Sequence, residues 1–464
     1  MIFRALLLLG LTVLAAAAPP DLPIPPDLVV ALDGSGDFTS LHAAVQSIPR
    51  DNRERRVILV KNGVYRERVR VDAACVTIRG ESRAGTRLEF AHPASAPIDD
   101  LGRSVLELSA TANDFVLENL TVENTHGVIG QHAFAMLGRA DRVVLQDCDI
   151  LSLGNDTLAM WRGRPDDAAE VSAAMPVGSR TVLQDAGRYY HARLRVRGSV
   201  DFICPRGWCY MTDSTITQMN PKATAAIWHD GRNNPDKKFV MRDCRFDGPP
   251  DWYLARHHHD AQFYFIGCTF SAAMRDRAPY RVVYPLNGGT PTETDIENNR
   301  RYDLTNKFGE RAYYHGCQRA GGDYVWHRDN LASAPGPSSN ASTITSATEG
   351  APTPEQITAK WTFAGTWDPE RADVPVIAAV RVRERTIKVE FSETVTVKGR
   401  PQVALADGTT AAYQSGSGTG TLIFAAPTSA RTIRPARLEL RGGAIIATEA
   451  TSILRLANLD FSSP

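Results

Sequence analysis

The sequence predicts an all-β chain in two parts, a solenoid of stacked β-coils followed by a small β-sandwich. One short phrase recurs along the first half: Asn119-Leu-Thr-Val122, Asp147-Cys-Asp-Ile150, Arg193-Leu-Arg-Val196, Asp213-Ser-Thr-Ile216, Asp243-Cys-Arg-Phe246 and Gly267-Cys-Thr-Phe270. Inside each phrase a small or apolar residue stands two places before a larger apolar one, with polar neighbours, which is the period-two alternation of a half-buried strand. From about Val374 the pattern changes to longer alternating strands separated by Gly, Asp and Ser turns.

The recurring phrases mostly lie some twenty to thirty residues apart, and short strands repeating at that period indicate a solenoid. Stacking would place Leu120, Cys148, Leu194, Ser214, Cys244 and Cys268 in one interior file, where a free cysteine acts as a small apolar filler. An antiparallel sandwich with similar strands is the competing arrangement, but hairpin turns of the Asn-Gly type do not separate the phrases. The repeats fade after Phe270, giving way to aromatic clusters at Ala312-Tyr-Tyr-His315 and Tyr324-Val-Trp326. A stretch over 332–354, dominated by Ala, Ser, Thr, Pro and Gly, reads as a flexible surface segment. Beyond it, Thr386-Ile-Lys-Val-Glu-Phe391, Val395-Thr-Val397 and Thr421-Leu-Ile-Phe424 are the expected strands of the second module.

The chain opens with Arg4, an apolar run from Ala5 to Leu14 and a string of alanines to Ala18. This is the pattern of a secretory signal peptide cleaved near Ala17 or Ala18, too short in its apolar part to span a bilayer. The expected divisions are therefore a leader over 1–18, the coil domain over 27–372 and the sandwich over 373–464. Export to the periplasm or the medium follows, with no membrane span later in the chain. Lysine plus arginine and aspartate plus glutamate each total 52, with no basic block, so nothing in the composition suggests a nucleic-acid partner. Seven cysteines in an exported chain leave an odd thiol. Cys204 and Cys209 are the only close pair and could close a small loop disulfide.

No Gly-x-Ser-x-Gly elbow occurs, so a serine hydrolase is not indicated. His257-His258-His259-Asp260 is the conspicuous metal-like run, but neighbouring strand residues point to opposite faces and chelate poorly. What remains are carboxylates set into the coil phrases. Asp156 follows the Cys148 strand and Asp201 follows the Leu194 strand, so stacked coils would set the two side by side on one face. Two carboxyls crowded in a partly dry groove split their roles, one held protonated and one charged. Taken alone, the same two residues also fit turn aspartates that cap backbone amides.

Several motifs in one order resemble the pectin methylesterase family. They are Val30-Ala-Leu-Asp-Gly-Ser-Gly-Asp-Phe38, the run Val57 to Glu67, Glu123-Asn-Thr-His-Gly127, Gln131-His-Ala-Phe-Ala135, Asn155-Asp-Thr-Leu158, Gly198 to Ile203, Tyr253-Leu-Ala-Arg256, and a closing stretch from Thr353-Pro-Glu-Gln356 to Gly365-Thr-Trp-Asp-Pro369. The resemblance covers roughly residues 28 to 370 and implies a right-handed parallel β-helix. It also implies a reaction, hydrolysis of the methyl esters of galacturonate units in pectin through an aspartyl acyl-enzyme. Asp201 would be the nucleophile, Asp156 the proton donor and acceptor, Gln131 and Asn155 the oxyanion donors, and Arg256 the partner of Asp201. Thr125, Phe202 and His258 would line the sugar groove. No cofactor or metal is implied, and the expected partner of this monomer is pectin or a related uronate polysaccharide.

This sequence departs from the family pattern at four places. Asn155 stands for a glutamine, His258 stands where an aromatic ring is expected, Ile203 is followed by Cys204-Pro-Arg206, and an extra segment of roughly 161–185 separates the two aspartates. These changes leave room for an esterase acting on another methylated or acylated uronate, or for a β-helix that binds carbohydrate without turning it over. The second module, with Phe391 to Leu405 and Ser415 to Leu422, resembles the immunoglobulin-like domains appended to many bacterial exported proteins. That resemblance implies a fold and no activity.

Overall fold

A computed structural model describes residues 26–162, 187–231, 236–286, 288–306, 308–334, 351–370, 377–441, 444–447 and 459–460. The expected leader over 1–18 and most of the expected flexible segment over 332–354 lie outside these residues, as do residues 163–186 of the extra segment.

The coils stack into a parallel β-helix with three long sheets. One sheet has ten strands, from Leu28–Val30 to Ala312–His315; a second has eight, from Val69–Val71 to Tyr280–Arg281; a third has nine, from Gly63–Tyr65 to Gln318–Arg319. After the first pair, Leu28–Val30 with Arg56–Val60, the strands of each sheet follow chain order at every third position, so each full coil gives one strand to each sheet. Pairing is parallel and in register, as in Ile150 opposite Val122 and Val196 opposite Ile150.

The recurring phrase marks the corner between the ten-stranded and nine-stranded sheets. Its first residue adopts a left-handed conformation on coil after coil: φ is 60° at Asn119, 55° at Asp147, 54° at Arg193, 49° at Asp213, 53° at Asp243 and 62° at Gly267. Asn, Asp and Gly tolerate this region best, which is why they dominate the position. The second residue then turns inward. Leu120, Cys148, Leu194, Ser214, Cys244 and Cys268 are all buried in the expected file. The thiols are not inert filler alone: Cys148, Cys244 and Cys268 each donate to a carbonyl of the preceding coil, at Leu117, Met211 and Met241. Cys204 and Cys209 are free and buried, on strands of two different sheets, so they do not form the loop disulfide that their spacing suggested.

The solenoid runs one coil further than the phrases indicated. Gly316-Cys317 repeats the corner, with φ of 62° at Gly316 and the Cys317 thiol donating to Phe265 O. The exposed helix Glu293–Asp303 interrupts this last coil, which masks it in the sequence. After the coils the chain doubles back over the outer face of the ten-stranded sheet. Ile357, Phe363 and Trp367 pack there on Tyr190, Trp208, Tyr210 and Tyr264.

The C-terminal domain is antiparallel, with its own core around Ile387, Val389, Val403, Leu422 and Phe424. Two strands expected from the sequence are one continuous strand, Thr386–Lys398, whose register shifts between Glu390 and Val395 as it changes partner. This domain rests on the first coil. Lys398 Nζ pairs with both carboxylate oxygens of Asp27 at 2.6 and 2.7 Å, Arg55 N donates to Thr396 Oγ1, and Val57 packs against Ala444 and Ile446.

Two substitutions separate corner from core. Leu120→Ala leaves a void in the interior file and lowers stability by about 2–5 kcal/mol. Gly267→Ala places a Cβ within 2.3 Å of Asp243 Oδ1 at a left-handed φ, costing about 1–2 kcal/mol for the backbone alone. Denaturant titration of the two variants measures both losses.

Candidate active site

The two aspartates meet because their coils are neighbours. Leu158 lies opposite Ile203 and Ala159 opposite Cys204, so two residues earlier Asp156 falls opposite Asp201. Backbone bonds tie the stack at this level, from Asp156 N to Val200 O at 3.1 Å and from Asp201 N to Ala225 O at 2.8 Å. Both residues turn left-handed, with φ of 54° and 49°, at the entry to their strands. Aspartate sits in that conformation at low cost, so the fold and the chemistry ask for the same residue type.

Arg256 arrives from two coils further on. Its strand lies beyond Ala225–Trp228, with Trp228 opposite Arg256, so the guanidinium reaches back across one intervening strand. Arg256 Nε lies 2.9 and 3.2 Å from the two oxygens of Asp201, and Nη2 lies 2.7 Å from Oδ2. This forked pairing fixes the carboxylate plane. Burial pushes the Asp201 carboxyl up to about 6, helped by the charge of Asp156 and opposed by Arg256. Asp201 is therefore ionised at neutral pH while sitting only 4 % exposed.

Asp156 opens onto a cleft of about 720 Å³ on the outer face of the eight-stranded sheet. Gln131 and His132 stand at its rim, and Phe134, Trp161 and Trp228 form its aromatic surface. The resemblance gave Gln131 as an oxyanion donor, and the residue that the structure brings against Asp156 is its neighbour His132. His132 Nε2 is 3.3 Å from Asp156 Oδ2, and this contact raises the affinity of the imidazole for its proton. Gln131 is exposed, with Oε1 on His126 Nε2 at 3.1 Å. Adjacent residues of an extended chain face opposite ways, and a local irregularity decides which one turns to the aspartate: Ala135 N and Met136 N both donate to Thr157 O. That extra residue is invisible in the sequence.

Asn155 is buried and braces the rim. Its Nδ2 donates to Gly130 O at 2.9 Å, its Oδ1 accepts from Ser199 Oγ at 2.9 Å, and Ser199 Oγ accepts from Gly130 N at 3.1 Å. The three groups close a ring that holds the Gly130–Gln131 turn against the coil of Asp201. Thr125 is exposed just after the strand Thr121–Asn124, beside His126.

Two expected groove residues lie elsewhere. Phe202 is fully buried in the solenoid interior, since it alternates inward one step after Asp201. His258 is buried behind the cleft, stacked on Tyr302 at 4.3 Å and set edge-on to Trp228 at 4.1 Å, with Nε2 on Tyr284 Oη at 3.0 Å. Burial pushes its imidazole down to about 3, so it is neutral. One of the rings that do line the cleft, Trp228, is a residue the sequence reading missed. Its alignment with Cys204 and Arg256 across three coils appears only once the register is known. The histidine run disperses: His257 Nδ1 meets His259 O and His259 Nδ1 meets Thr305 Oγ1. Among the described residues no group of three or more His, Cys, Asp or Glu is arranged to hold a metal.

Comparison with known proteins agrees with the β-helix fold. Residues 27–164 match the Pectinesterase family model. Pectinesterase 2 of Arabidopsis thaliana is 27 % identical over 234 residues, covering 48 % of this chain and 35 % of that protein. Pectinesterase/pectinesterase inhibitor U1 of Solanum lycopersicum is 28 % identical over 238 residues, covering 49 % and 36 %. The chain thus spans little more than a third of the length of these two relatives. Among solved structures, the pectin methylesterase PemA from Erwinia chrysanthemi shares the fold with a TM-score of 0.51 at 18 % identity, over 74 % of this chain and 98 % of that one. The matched stretch runs from before the first coil to just past Asp156, and the coils that follow carry on the fold of the pectin methylesterase structure.

Proposed function

We propose that this protein hydrolyses the methyl esters of galacturonate units in pectin through an acyl-enzyme on Asp201. One observation carries the reading: a buried carboxylate, gripped in a fork by Arg256, stands in register with a second carboxylate that opens onto an aromatic cleft. The name of the family and the oligosaccharide in one of the matched pectin methylesterase structures support pectin as the substrate.

In the first step an oxygen of Asp201 bonds to the ester carbonyl carbon, and negative charge develops on the carbonyl oxygen. Gln131 and His132 at the cleft rim are the donors to that oxygen, where each is worth about 3 kcal/mol when well placed. The bond to the methoxy group then breaks, and the proton shared between Asp156 and His132 passes through Asp156 to it so that methanol leaves. In the second step water attacks the mixed anhydride, Asp156 takes its proton, and Asp201 returns as carboxylate with the uronic acid released. Arg256 keeps Asp201 ionised and oriented through both steps. Splitting the reaction in this way requires no group outside the chain. The leader at the start of the sequence supports export to the periplasm or medium, where such a polymer is met.

Methanol release from highly methylated pectin is expected from the intact protein and is expected to vanish in Asp201→Ala; release that survives in the variant removes Asp201 as nucleophile. The activity of the intact protein should fall as pH drops through about 6, because protonation of Asp201 consumes the nucleophile. Arg256→Gln removes the opposing charge and moves this acid limb to higher pH, with a fall in kcat, both read from a pH–rate profile. Trp228→Ala removes the ring from the cleft and raises KM by roughly two- to tenfold, the range that about 0.5–1.5 kcal/mol of aromatic contact represents.

A further inference from the structure

One buried hydroxyl joins the three coils that carry the reactive groups. Ser199 lies two residues before Asp201 and is fully buried. Its Oγ accepts from Gly130 N at 3.1 Å and donates to Asn155 Oδ1 at 2.9 Å, while Asn155 Nδ2 donates to Gly130 O at 2.9 Å. Both backbone polar groups of Gly130 are thus held, one by each side chain. Gly130 is left-handed, with φ of 84°, and nothing lies within 4 Å of the place a Cβ would take. Packing contributes little there, so hydrogen bonds fix the turn.

Ser199 is itself a fixed point. Its backbone N donates to Gly154 O at 2.9 Å and its carbonyl accepts from Thr224 Oγ1 at 2.8 Å, so its backbone is tied to the coil on either side. Thr224 Oγ1 in turn accepts from Gln218 Nε2 at 2.8 Å. The rim turn that the hydroxyl holds is exposed from Gly127 to His132. Two residues after Gly130, His132 bridges to Asn155 in parallel register, and its carbonyl accepts from Ala94 N at 2.8 Å. Its Nε2 reaches Asp156 Oδ2 at 3.3 Å although 56 % of the side chain is exposed. A ring that open to solvent takes its place from its backbone, and the path of the chain at Gly130 sets that backbone.

We propose that Ser199 is a positioning residue for the reaction: its hydroxyl closes the ring with Asn155 and Gly130, and so holds His132 against Asp156 from the coil of the nucleophile. The proposal rests on the esterase reading above and names the residue that couples the two sides of its site. Removing the hydroxyl leaves both backbone ties of Ser199 in place, and the exposed Gly130 N can turn to water, so the coils stay stacked while the rim turn loosens. The competing role is a plain brace, whose loss lowers stability and leaves the chemistry alone. A second alternative gives Asn155 a separate place as an oxyanion donor, independent of Ser199.

The test measures kcat and KM on highly methylated pectin, and the proton titration of His132 by NMR, its resonance identified by its loss in His132→Gln. Four proteins are compared: the intact chain, Ser199→Ala, Asn155→Ala and the double variant. Ser199→Ala should lower kcat by about ten- to a hundredfold, less than the full loss of an oxyanion donor. KM should stay within about twofold, the signature of an interaction made in the transition state. The His132 titration should move to lower pH, because contact with Asp156, with Asp201 behind it, is what raises it. Since both side chains act through one ring, the double variant should lose no more than the worse single variant. A kcat in Ser199→Ala within about twofold of the intact protein, an unmoved His132 titration, or losses that multiply in the double variant overturns the proposal. Should Ser199→Ala fail to fold, Asn155→Ala opens the same ring from its other side, and its His132 titration decides in the same way. If the intact protein releases no methanol, the esterase reading fails instead, and the titration in Ser199→Ala then upholds or overturns the positioning by itself.

Discussion

In-register stacking of parallel coils is the constraint from which the rest of this molecule follows. Because each strand pairs residue for residue with the next, a side chain keeps its height and its face from one coil to the next. Asp156 and Asp201 are 45 positions apart in sequence and become lateral neighbours. Arg256 lies 55 positions beyond Asp201 and still reaches its carboxylate. The left-handed corners at Asn119, Asp147, Arg193, Asp213, Asp243 and Gly267 keep that register, since each turns the chain by the same amount before the next strand begins. A slip of one residue would turn Asp201 inward and bring Phe202 to the cleft.

Inside and outside faces divide the work. The interior file of Leu, Cys and Ser is narrow and dry, and its thiols and hydroxyl spend their hydrogen bonds on carbonyls within the stack. The outer face of the eight-stranded sheet carries the indoles, arginines and carboxylates of the cleft. Burial governs the electrostatics at their boundary. Asp201 lies just inside it, so that its proton affinity rises even with a guanidinium in contact. His132 lies just outside, half exposed, and gains proton affinity from Asp156.

Much of this was legible before the structure, and the failures have physical causes. The repeated phrase contains both the corner residue and the inward residue, so the coils and the interior file could be read directly. The last coil was hidden because the helix Glu293–Asp303 breaks its spacing. The aspartates and Arg256 were legible through a resemblance to family motifs; their polar types alone fit capping equally well. Gln131 and His132 could not be told apart because the irregular pairing around Thr157 reverses which one faces Asp156. Phe202 and His258 misled for a common reason: proximity in sequence to a reactive residue says nothing about side, and an aromatic beside a reactive strand residue faces the other way. Trp228 and Arg206 carry no motif, and only the lateral alignment of the coils brings them to the cleft.

The doubling-back of the chain after the last coil has a consequence in time. The outer face of the ten-stranded sheet, with Tyr190, Trp208, Tyr210 and Tyr264, is covered by residues around Ile357, Phe363 and Trp367. The first coil is in turn covered by Thr396, Lys398, Ala444 and Ile446. A ribosome makes the solenoid first and its coverings last, so during synthesis a broad aromatic surface and an uncapped strand edge await residues not yet polymerised. Folding that begins only when the whole chain is present removes that interval.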